Sequence, residues 1–408
     1  MKRLSLFAAV AATLIPAMLS AQEETPAKVK VGGFIRNYSF VDTKALVKST
    51  ADLFSYIPKD EQDDNSTTWH NTAMSSRLWV DVQGYKYDNM TASARIEADF
   101  YSGLNSPDNV SGVATLRLRQ AFVTLGWVDD EGRAIGSLKV GQAWHPMAAD
   151  MPDVISLNSG SPFGPFSRTP QFQWNAPLTD GLSYTAAAIW QMQYASCGPE
   201  GASATYMRYG GVPEIYLGLN YTGEHSVVRL GYDLLSLRPY KNGNRTWSNL
   251  AFLYAQYKEG LFSAKFKTTF GQDGSHLNLT GGYAVTGGST PEDYEFTPTV
   301  NSSTWFSLSY GKKWQGVLFG GYIRNFGTRE EVSGDYWFCK NSYKNVNRAW
   351  RLTPTIIRNL GKVQFALEYE ITGAQYGDAA NVSDMGLFDS NLHWVTNHRL
   401  DLMVKYTF

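Results

Sequence analysis

Charged residues recur at alternate positions in several segments of this sequence, and that spacing limits the chemistry they can do. Arg95, Glu97 and Asp99 alternate with apolar residues, as do Arg117 and Arg119. Alternate residues of a β-strand project from the same face. Rows of guanidinium and carboxylate groups on one face attract, repel and pair with ions. The pattern therefore predicts a wet, charged wall that acts on ions through its electric field.

The same reasoning assigns further charged residues to this wall. Over all the strands predicted below, basic residues outnumber acidic ones eleven to seven. The candidate site for ion selectivity combines the charges of the second to fifth strands with two acids of the third long loop. Its members are Arg77, Arg95, Glu97, Asp99, Arg117, Arg119, Lys139, Asp150 and Asp153. For any single member, a solvated wall residue without solute contact is the simpler interpretation.

Pairing across a hairpin partly cancels the charge of this cluster. If residues 103–113 form a hairpin loop centred near residue 108, Asp99 faces Arg117 and Glu97 faces Arg119. Such cross-strand pairs stabilise a wet wall and weaken its field. The three remaining basic residues of the cluster have less obvious partners. We therefore expect a net positive wall and a modest preference for anions.

The sequence lacks motifs for catalysis, cofactor binding or metal binding. It contains no Gly-x-Ser-x-Gly, no His-Glu-x-x-His and no glycine-rich phosphate loop, and its six histidines form no close metal-ligand pair. We therefore predict that the protein is not an enzyme and holds neither a cofactor nor a metal ion. Cys197 and Cys339 fall in predicted loops, where a disulfide is one hypothesis. The acidic run 60–65 admits Ca²⁺, although a solvated loop is the favoured interpretation.

The first 21 residues have the layout of a secretory signal peptide. Lys2 and Arg3 precede an apolar run, and Ala21 precedes a polar segment that begins at Gln22. A short membrane anchor is the alternative, but the apolar run is too short to span a bilayer comfortably. We predict an exported chain with a signal peptide at 1–21 and one domain at 22–408. The net charge of −1 gives no reason to expect a nucleic-acid partner.

Period-two alternation beyond the signal segment predicts strands, and no segment reads as a convincing amphipathic helix. In the C-terminal segment Leu400, Leu402 and Val404 share one face, opposite a mostly charged or polar face of Arg399, Asp401, Met403, Lys405 and Thr407. Short turns are predicted near residues 87–89, 129–132, 178–181, 222–224, 258–260, 314–316 and 359–361. Long loops are predicted at 42–74, 103–113, 146–168, 195–211, 238–246, 272–301, 328–346 and 374–394.

The seven short turns and eight long loops alternate strictly, so they join 16 strands with both chain ends on the short-turn side. A soluble sandwich or propeller has no reason to place every long connection at one end, whereas an outer-membrane barrel does. We therefore predict an all-β fold, a transmembrane antiparallel β-barrel of about 16 strands with short periplasmic turns and long external loops. Residues 275–287 could form one extra strand, but an odd number of strands would place residues 312–314 at the wrong end of the barrel, so we predict a hairpin within an external loop. A count of 18 strands instead of 16 stays open at this stage.

Aromatic residues near the predicted strand ends fit the two girdles of such a barrel, since Tyr and Trp collect at membrane–water interfaces. Ordinary core packing is the alternative. The residues assigned to the girdles are Tyr85, Tyr87, Tyr101, Trp127, Trp144, Trp174, Trp190, Tyr194, Tyr221, Tyr257, Trp314 and Tyr406. The third long loop carries apolar residues that would be awkward if exposed together, so we expect it to fold inward.

The chain resembles Gram-negative general porins, and in layout it is closest to the DcaP-like trimeric porins. The resemblance rests on the signal segment, on Gly33-Phe34-Ile35-Arg36, on Ser75-Ser76-Arg77 and on the terminal Val404-Lys405-Tyr406-Thr407-Phe408. A terminal Phe after alternating apolar residues is similar to the signal read by the barrel insertion machinery. The resemblance covers the whole mature chain in architecture, but its motifs are short.

The resemblance implies a homotrimeric outer-membrane channel that takes up small solutes, often carboxylates. Its expected partners are outer-membrane lipid, lipopolysaccharide, the barrel insertion machinery and small-molecule solutes, with no nucleic acid. Two other classes remain open at this stage: a barrel enzyme of the lipase or protease class, and a structural or adhesive barrel. A channel that conducts ions in a planar bilayer would separate the porin from both.

Overall fold

The computed structural model describes residues 27–47, 56–60, 67–102, 115–155, 160–338 and 345–408. Nearly all regular structure in these residues is β. The strands are β1 (Lys28–Asp42), β2 (Thr68–Thr72), β3 (Arg77–Tyr87), β4 (Met90–Ser102), β5 (Thr115–Val128), β6 (Ala134–Trp144), β7 (Arg168–Thr179), β8 (Leu182–Ile189), β9 (Glu214–Thr222), β10 (Ser226–Leu237), β11 (Thr246–Glu259), β12 (Phe262–Gln272), β13 (Gly282–Gly287), β14 (Glu295–Pro298), β15 (Val300–Gly311), β16 (Trp314–Asn325), β17 (Tyr336–Phe338), β18 (Val346–Leu360), β19 (Val363–Tyr376) and β20 (His393–Thr407).

One short helix, α1 (Thr205–Gly210), and one 3₁₀ turn (Ser275–Leu277) interrupt the strands. Both lie in loops, which agrees with the prediction that the barrel itself contains no helix. Neither of these two helical segments, within the part of the chain described, is long and apolar enough to cross a membrane.

Sixteen of the described strands close into one antiparallel barrel, as predicted. Each pairs with its neighbours along the chain, and β20 pairs with β1 from Phe34↔Thr407 to Asp42↔Arg399. The extra strand β2 continues the line of β3, because β1 pairs with β3 through its first half and with β2 through its second. The barrel therefore has no open edge, which removes the unpaired backbone groups that a flat sheet would expose.

The seven predicted short turns all join adjacent barrel strands in the structure, and the long loops lie at the other end. The turn after β5 shows why these residues fold locally. The carboxylate of Asp129 accepts the backbone N–H groups of Glu131 and Arg133 and the Arg133 guanidinium, and Gly132 adopts φ 79°. The Arg133 guanidinium and backbone N–H hold the pKa of Asp129 below its usual range.

The remaining three strands, β13, β14 and β17, form a small sheet within the loops. β13 and β14 are the hairpin predicted inside the loop after β12, although that hairpin extends to Pro298. At its turn, Asp293 accepts the backbone N–H groups of Ser289 and Thr290, which lowers the pKa of its carboxyl. The count of barrel strands is therefore 16, with the additional pairings confined to loops.

The barrel is apolar outside and polar or charged inside, the reverse of a soluble protein. Along β20, Leu400, Leu402 and Val404 are 41–52 % exposed, whereas Arg399 and Asp401 are 1–2 % exposed. The exposed faces of the other strands are likewise rich in Leu, Ile, Val and aromatic residues. Such an exterior suits the hydrocarbon of a bilayer and places the charged rows in the lumen.

Candidate functional site in the lumen

The described residues of the third loop, 145–155 and 160–167, fold into the barrel and bind the inner face of one part of the wall. Arg229 on β10 donates from Nε to Asp150 Oδ2 at 2.9 Å. Lys265 on β12 donates from Nζ to Asp153 Oδ1 at 2.6 Å. Both loop acids of the candidate site, Asp150 and Asp153, therefore pair with wall residues that belong to β10 and β12.

Lys267 and Glu368 fix the backbone of the same loop. Lys267 is 1 % exposed, and its ammonium donates to the carbonyls of Met147, at 2.9 Å, and Asp150. Farther along, the Ile155 N–H donates to Glu368 Oε2 on β19 at 2.9 Å. These contacts hold the loop against the wall from β10 to β19.

Apolar side chains complete the docking, as the composition of the loop predicted. Met147, Ile155, Phe163 and Phe166 are at most 7 % exposed. Phe163 packs where Gly321 of β16 has no side chain; a Cβ at that glycine would lie 2.4 Å from the phenyl ring. The wall opposite the candidate charges is thus filled by the loop.

The two ion pairs predicted across the β4–β5 hairpin are present. Arg117 binds Asp99 through two parallel hydrogen bonds of 2.9 and 2.8 Å. Arg119 donates to Glu97 Oε1 at 2.5 Å and also to Asp99 Oδ2 at 2.7 Å. A bulge between Glu97 and Ala98 lets the second arginine reach both carboxylates.

The other three basic residues of the cluster behave differently from one another. Arg95, for which no clear partner was predicted, binds Asp81 through hydrogen bonds of 2.7 and 3.0 Å. Arg77 lies 3.9 Å from Glu97. Lys139 forms no ion pair with any described residue, and its Nζ lies 5.3 Å from the centre of the Phe122 ring. Only Arg77 and Lys139 therefore keep most of their charge uncompensated.

Aromatic rings connect these cations with others that the candidate list omitted. The Phe34 ring on β1 lies 4.9 Å from the Arg36 guanidinium, 5.5 Å from that of Arg77 and 6.0 Å from Lys405 Nζ. Trp79 packs against Phe34 at 6.2 Å and lies 5.8 Å from the Arg95 guanidinium. We call the resulting row of cations the basic stripe; its members are Lys405, Arg36, Arg77, Arg95, Arg117 and Arg119.

Several guanidinium donors near the stripe are buried yet bind nothing among the residues that the structure describes. They are Arg36 Nη2, Arg77 Nε, Arg119 Nη2 and Arg168 Nη1. A buried donor without a partner costs free energy, so these atoms favour an oxyanion or water in the lumen. Arg168, which sequence reasoning missed, lies 4.8 Å from the Trp144 ring, and Arg119 lies 6.0 Å from the same ring.

Two aromatic assignments to the membrane girdles are wrong. Trp144 packs against Phe166 at 5.0 Å between ring centroids, and Tyr194 packs against Phe166 at 6.3 Å. Tyr194 is only 9 % exposed. Trp144 is the last residue of β6 and Tyr194 lies beyond the end of β8, so strict alternation no longer sets which way either side chain points.

Three sequence hypotheses fall on residues outside those described. The predicted signal peptide at 1–21 is one. Cys339 is another, so only the burial of Cys197, at 3 % exposure, can be stated. The third is the acidic run, of which Asp60 alone is described; its carboxylate contacts His393 and accepts Asn345 Nδ2 at 2.5 Å.

Comparison with known proteins gives structural neighbours only. No family model and no curated protein matches the sequence. The outer membrane channel DcaP of Acinetobacter baumannii superposes with a TM-score of 0.69 at 15 % identity, covering 94 % of this chain and 97 % of that one. Salmonella typhi OmpF, in a complex with daunomycin, superposes with a TM-score of 0.56 at 11 % identity, covering 95 % of this chain and 100 % of that one. The anion-selective porin of Comamonas acidovorans superposes with a TM-score of 0.53 at 13 % identity, covering 94 % of this chain and 100 % of that one.

This chain has the fold of the outer-membrane porins. The superposition covers 94–95 % of this chain and 97–100 % of each neighbour, so the shared fold is that of the whole barrel. The resemblance to DcaP-like porins, stated from short motifs, is confirmed at the level of this porin fold. Sequence identities of 11–15 % carry no residue roles from one protein to another, so the chemistry of the lumen must be argued from this chain alone.

Proposed function

We propose that this protein is an outer-membrane porin, a water-filled channel through which small hydrophilic solutes diffuse passively. The observation that carries the proposal is the division of the lumen. The inward loop is fixed to the wall from β10 to β19, and the basic stripe, which runs from β20 through β1 to β5, keeps guanidinium donors without hydrogen bonds to described residues. A barrel of this strand number is wide enough for an aqueous path.

We also propose a modest preference for anions, with small carboxylates as solutes. Away from the turns, the inner rows of β3–β6 carry five described basic residues, Arg77, Arg95, Arg117, Arg119 and Lys139, against three acidic ones, Asp81, Glu97 and Asp99. Asp150 and Asp153 do not cancel this excess, because each has its own basic partner on the other wall. A wet pore with low-dielectric walls focuses the remaining positive field.

The same proposal covers location and assembly. The apolar exterior supports a location in the bacterial outer membrane. There, lipid and lipopolysaccharide would surround the barrel, and the insertion machinery would recognise its last strand. A homotrimer follows only from the resemblance to trimeric porins. Cross-linking of the protein in outer-membrane vesicles, followed by electrophoresis, would detect a trimer directly.

Planar bilayer recording tests the channel itself. Refolded protein should produce discrete conductance steps in KCl, and reversal potentials in a salt gradient should have the sign of a weak anion preference. Clear cation selectivity would contradict the charge assignment. A folded barrel that inserts but never conducts would contradict the channel and favour the structural or enzymatic alternatives.

A further inference from the structure

Four ionisable side chains meet in the interior at the point where the third loop leaves β6. His145 begins the loop, Glu214 begins β9, Asp233 lies on β10 and His276 lies in the 3₁₀ turn. Their exposed fractions are 0, 0, 1 and 2 %, respectively. Groups that can carry charge are rarely buried this completely without a partner of opposite charge or a metal ion.

The two carboxylates lie between the two imidazoles. His145 Nε2 is 2.7 Å from Glu214 Oε1 and 3.9 Å from Asp233 Oδ1. His276 Nε2 is 3.6 Å from Glu214 Oε1 and 3.5 Å from Asp233 Oδ2. Ligands bound tetrahedrally to Zn²⁺ at about 2.0–2.2 Å are separated by roughly 3.3–3.6 Å, and His276 Nε2 lies at that separation from one oxygen of each carboxylate. His145, Glu214 and Asp233 likewise offer ligand atoms that all lie within 4.8 Å of one another.

The hydrogen bonds of His145 define its role. Its Nδ1 accepts the backbone N–H of Met147 at 3.2 Å, which places the ring proton on Nε2, and Nε2 donates that proton to Glu214 Oε1. The other carboxylate oxygen, Glu214 Oε2, makes no hydrogen bond with any described residue. His145 therefore orients Glu214, whose Oε1 also lies 3.6 Å from His276 Nε2 and keeps a lone pair for a metal ion.

Asp233 and His276 also have atoms that form no hydrogen bond with any described residue, although His276 Nε2 lies within ion-pair distance of both carboxylates. These are Asp233 Oδ1 and both ring nitrogens of His276. Unpaired polar atoms at this depth destabilise a folded protein unless something binds them. Two carboxylates and one neutral imidazole supply oxygen and nitrogen donors, the set that suits zinc and neighbouring transition metals better than Ca²⁺ or Mg²⁺.

We propose that Glu214, Asp233 and His276 bind a divalent transition-metal ion of the Zn²⁺ class, with His145 as the residue that positions Glu214. The two positive charges of the ion neutralise the two carboxylates. The sequence predicted no metal site because His145 and His276 are far apart along the chain, and only the docking of two loops inside the barrel brings them together. The ion would tie the base of the third loop to β9, β10 and the loop after β12.

Metal analysis of refolded protein tests the site, and it does not depend on whether the barrel conducts. Since the site is buried, the ion must enter during folding. Protein refolded into detergent with Zn²⁺ and then desalted should retain one zinc per chain, and protein refolded with EDTA should retain none. Refolding with Co²⁺ should give the visible absorption of tetrahedral nitrogen and oxygen ligation.

Variants assign the ligands. His276→Gln and Glu214→Gln should each lower zinc affinity by about 100-fold or more. His225→Gln, at an exposed turn, is the matched control and should bind zinc as the wild type does. Wild-type protein that folds with Zn²⁺ but retains none would overturn the proposal, as would equal retention by His276→Gln, Glu214→Gln and the wild type. If both ligand variants fail to fold, the zinc content and the Co²⁺ spectrum of the wild type test the site instead. A Co²⁺ spectrum typical of octahedral oxygen ligation would then refute it.

Discussion

Two parts of the lumen wall contain similar residues and use them in different ways. On β10 and β12, Arg229, Lys265 and Lys267 face inward and bind the third loop. On β3–β6, Arg77, Arg95 and Lys139 also face inward, but they contact neighbouring strands or rings. The first group acts as anchors for a segment of the chain, whereas the second produces a field in water.

The difference arises from where the acids lie. The partners of Arg229 and Lys265 are Asp150 and Asp153, which the loop brings across the barrel. The acids near the basic stripe sit on the stripe's own strands, so their ion pairs lie within the wall. Several guanidinium N–H donors of the stripe are then left without a hydrogen-bond partner among the described residues. An inward arginine or lysine is therefore informative about ion selectivity only after the position of the loop is known.

The largest expected effect concerns Lys267. Lys267→Ala removes a buried ammonium that donates to two loop carbonyls, and we expect a loss of about 3 kcal/mol in stability, since a hydrogen bond from a charged group contributes about 1.5–3 kcal/mol. Urea unfolding in detergent measures this loss, and bilayer recording should show noisier, larger conductance. Lys258→Ala, at an exposed strand end, is the control. Equal stability of the two variants would contradict the anchoring role.

Breaking an ion pair within the basic stripe should lower the stability of the protein less than Lys267→Ala does. Asp99→Asn leaves Arg117 without a full charge partner and Arg119 with Glu97 alone. We expect a loss of about 2 kcal/mol in stability, below the 3–5 kcal/mol typical of fully buried pairs, because Arg117 is partly exposed and Arg119 keeps one partner. Anion preference should rise at the same time. Asp130→Asn, in an exposed turn, should change neither quantity. A fall in anion preference in Asp99→Asn would show that the stripe does not face the ion path.

Neutralising Arg95 of the basic stripe together with Lys139 on β6 should change ion selectivity more than stability. In the double variant Arg95→Gln with Lys139→Gln, we expect the anion-to-cation permeability ratio to fall about two- to fivefold, because screened charges in a wet pore contribute roughly 0.5–1 kcal/mol. Asp81, released from Arg95, adds to the shift. Reversal potentials in a salt gradient measure the ratio. An unchanged ratio would mean that the charge assignment is wrong.

The smallest effect is expected when an ion pair between the third loop and β12 is replaced by two uncharged side chains. Lys265→Gln combined with Asp153→Asn removes one charge of each sign from a partly exposed pair, so stability should fall by only about 0.5–1 kcal/mol. The reversal potential should stay that of the wild type. A shift as large as that of the Arg95 and Lys139 variant would show that both walls face the ion path equally, which would remove the distinction between them.

The hairpin register explains which ion pairs could be predicted. Asp99–Arg117 followed from the position of the loop between β4 and β5, because a hairpin fixes its register locally. Asp81–Arg95 does not follow from the turn at 88–89 in the same way, because a bulge between Val82 and Tyr85 shifts the register by one residue. The pair Asp150–Arg229 had no such signal, since 79 residues separate its members.

The sequence by itself determined the strands, their number, the end at which the short turns lie and the face on which each charge stands, because period-two alternation and turn residues act within a few positions. Only the tertiary structure decided which charges are neutralised. The course of the third loop depends on contacts between distant strands, so the anchoring of Asp150 and Asp153 appears only in the closed barrel. The same closure gathers His145, Glu214, Asp233 and His276, since only a folded loop can bring groups so far apart along the chain into one buried cluster.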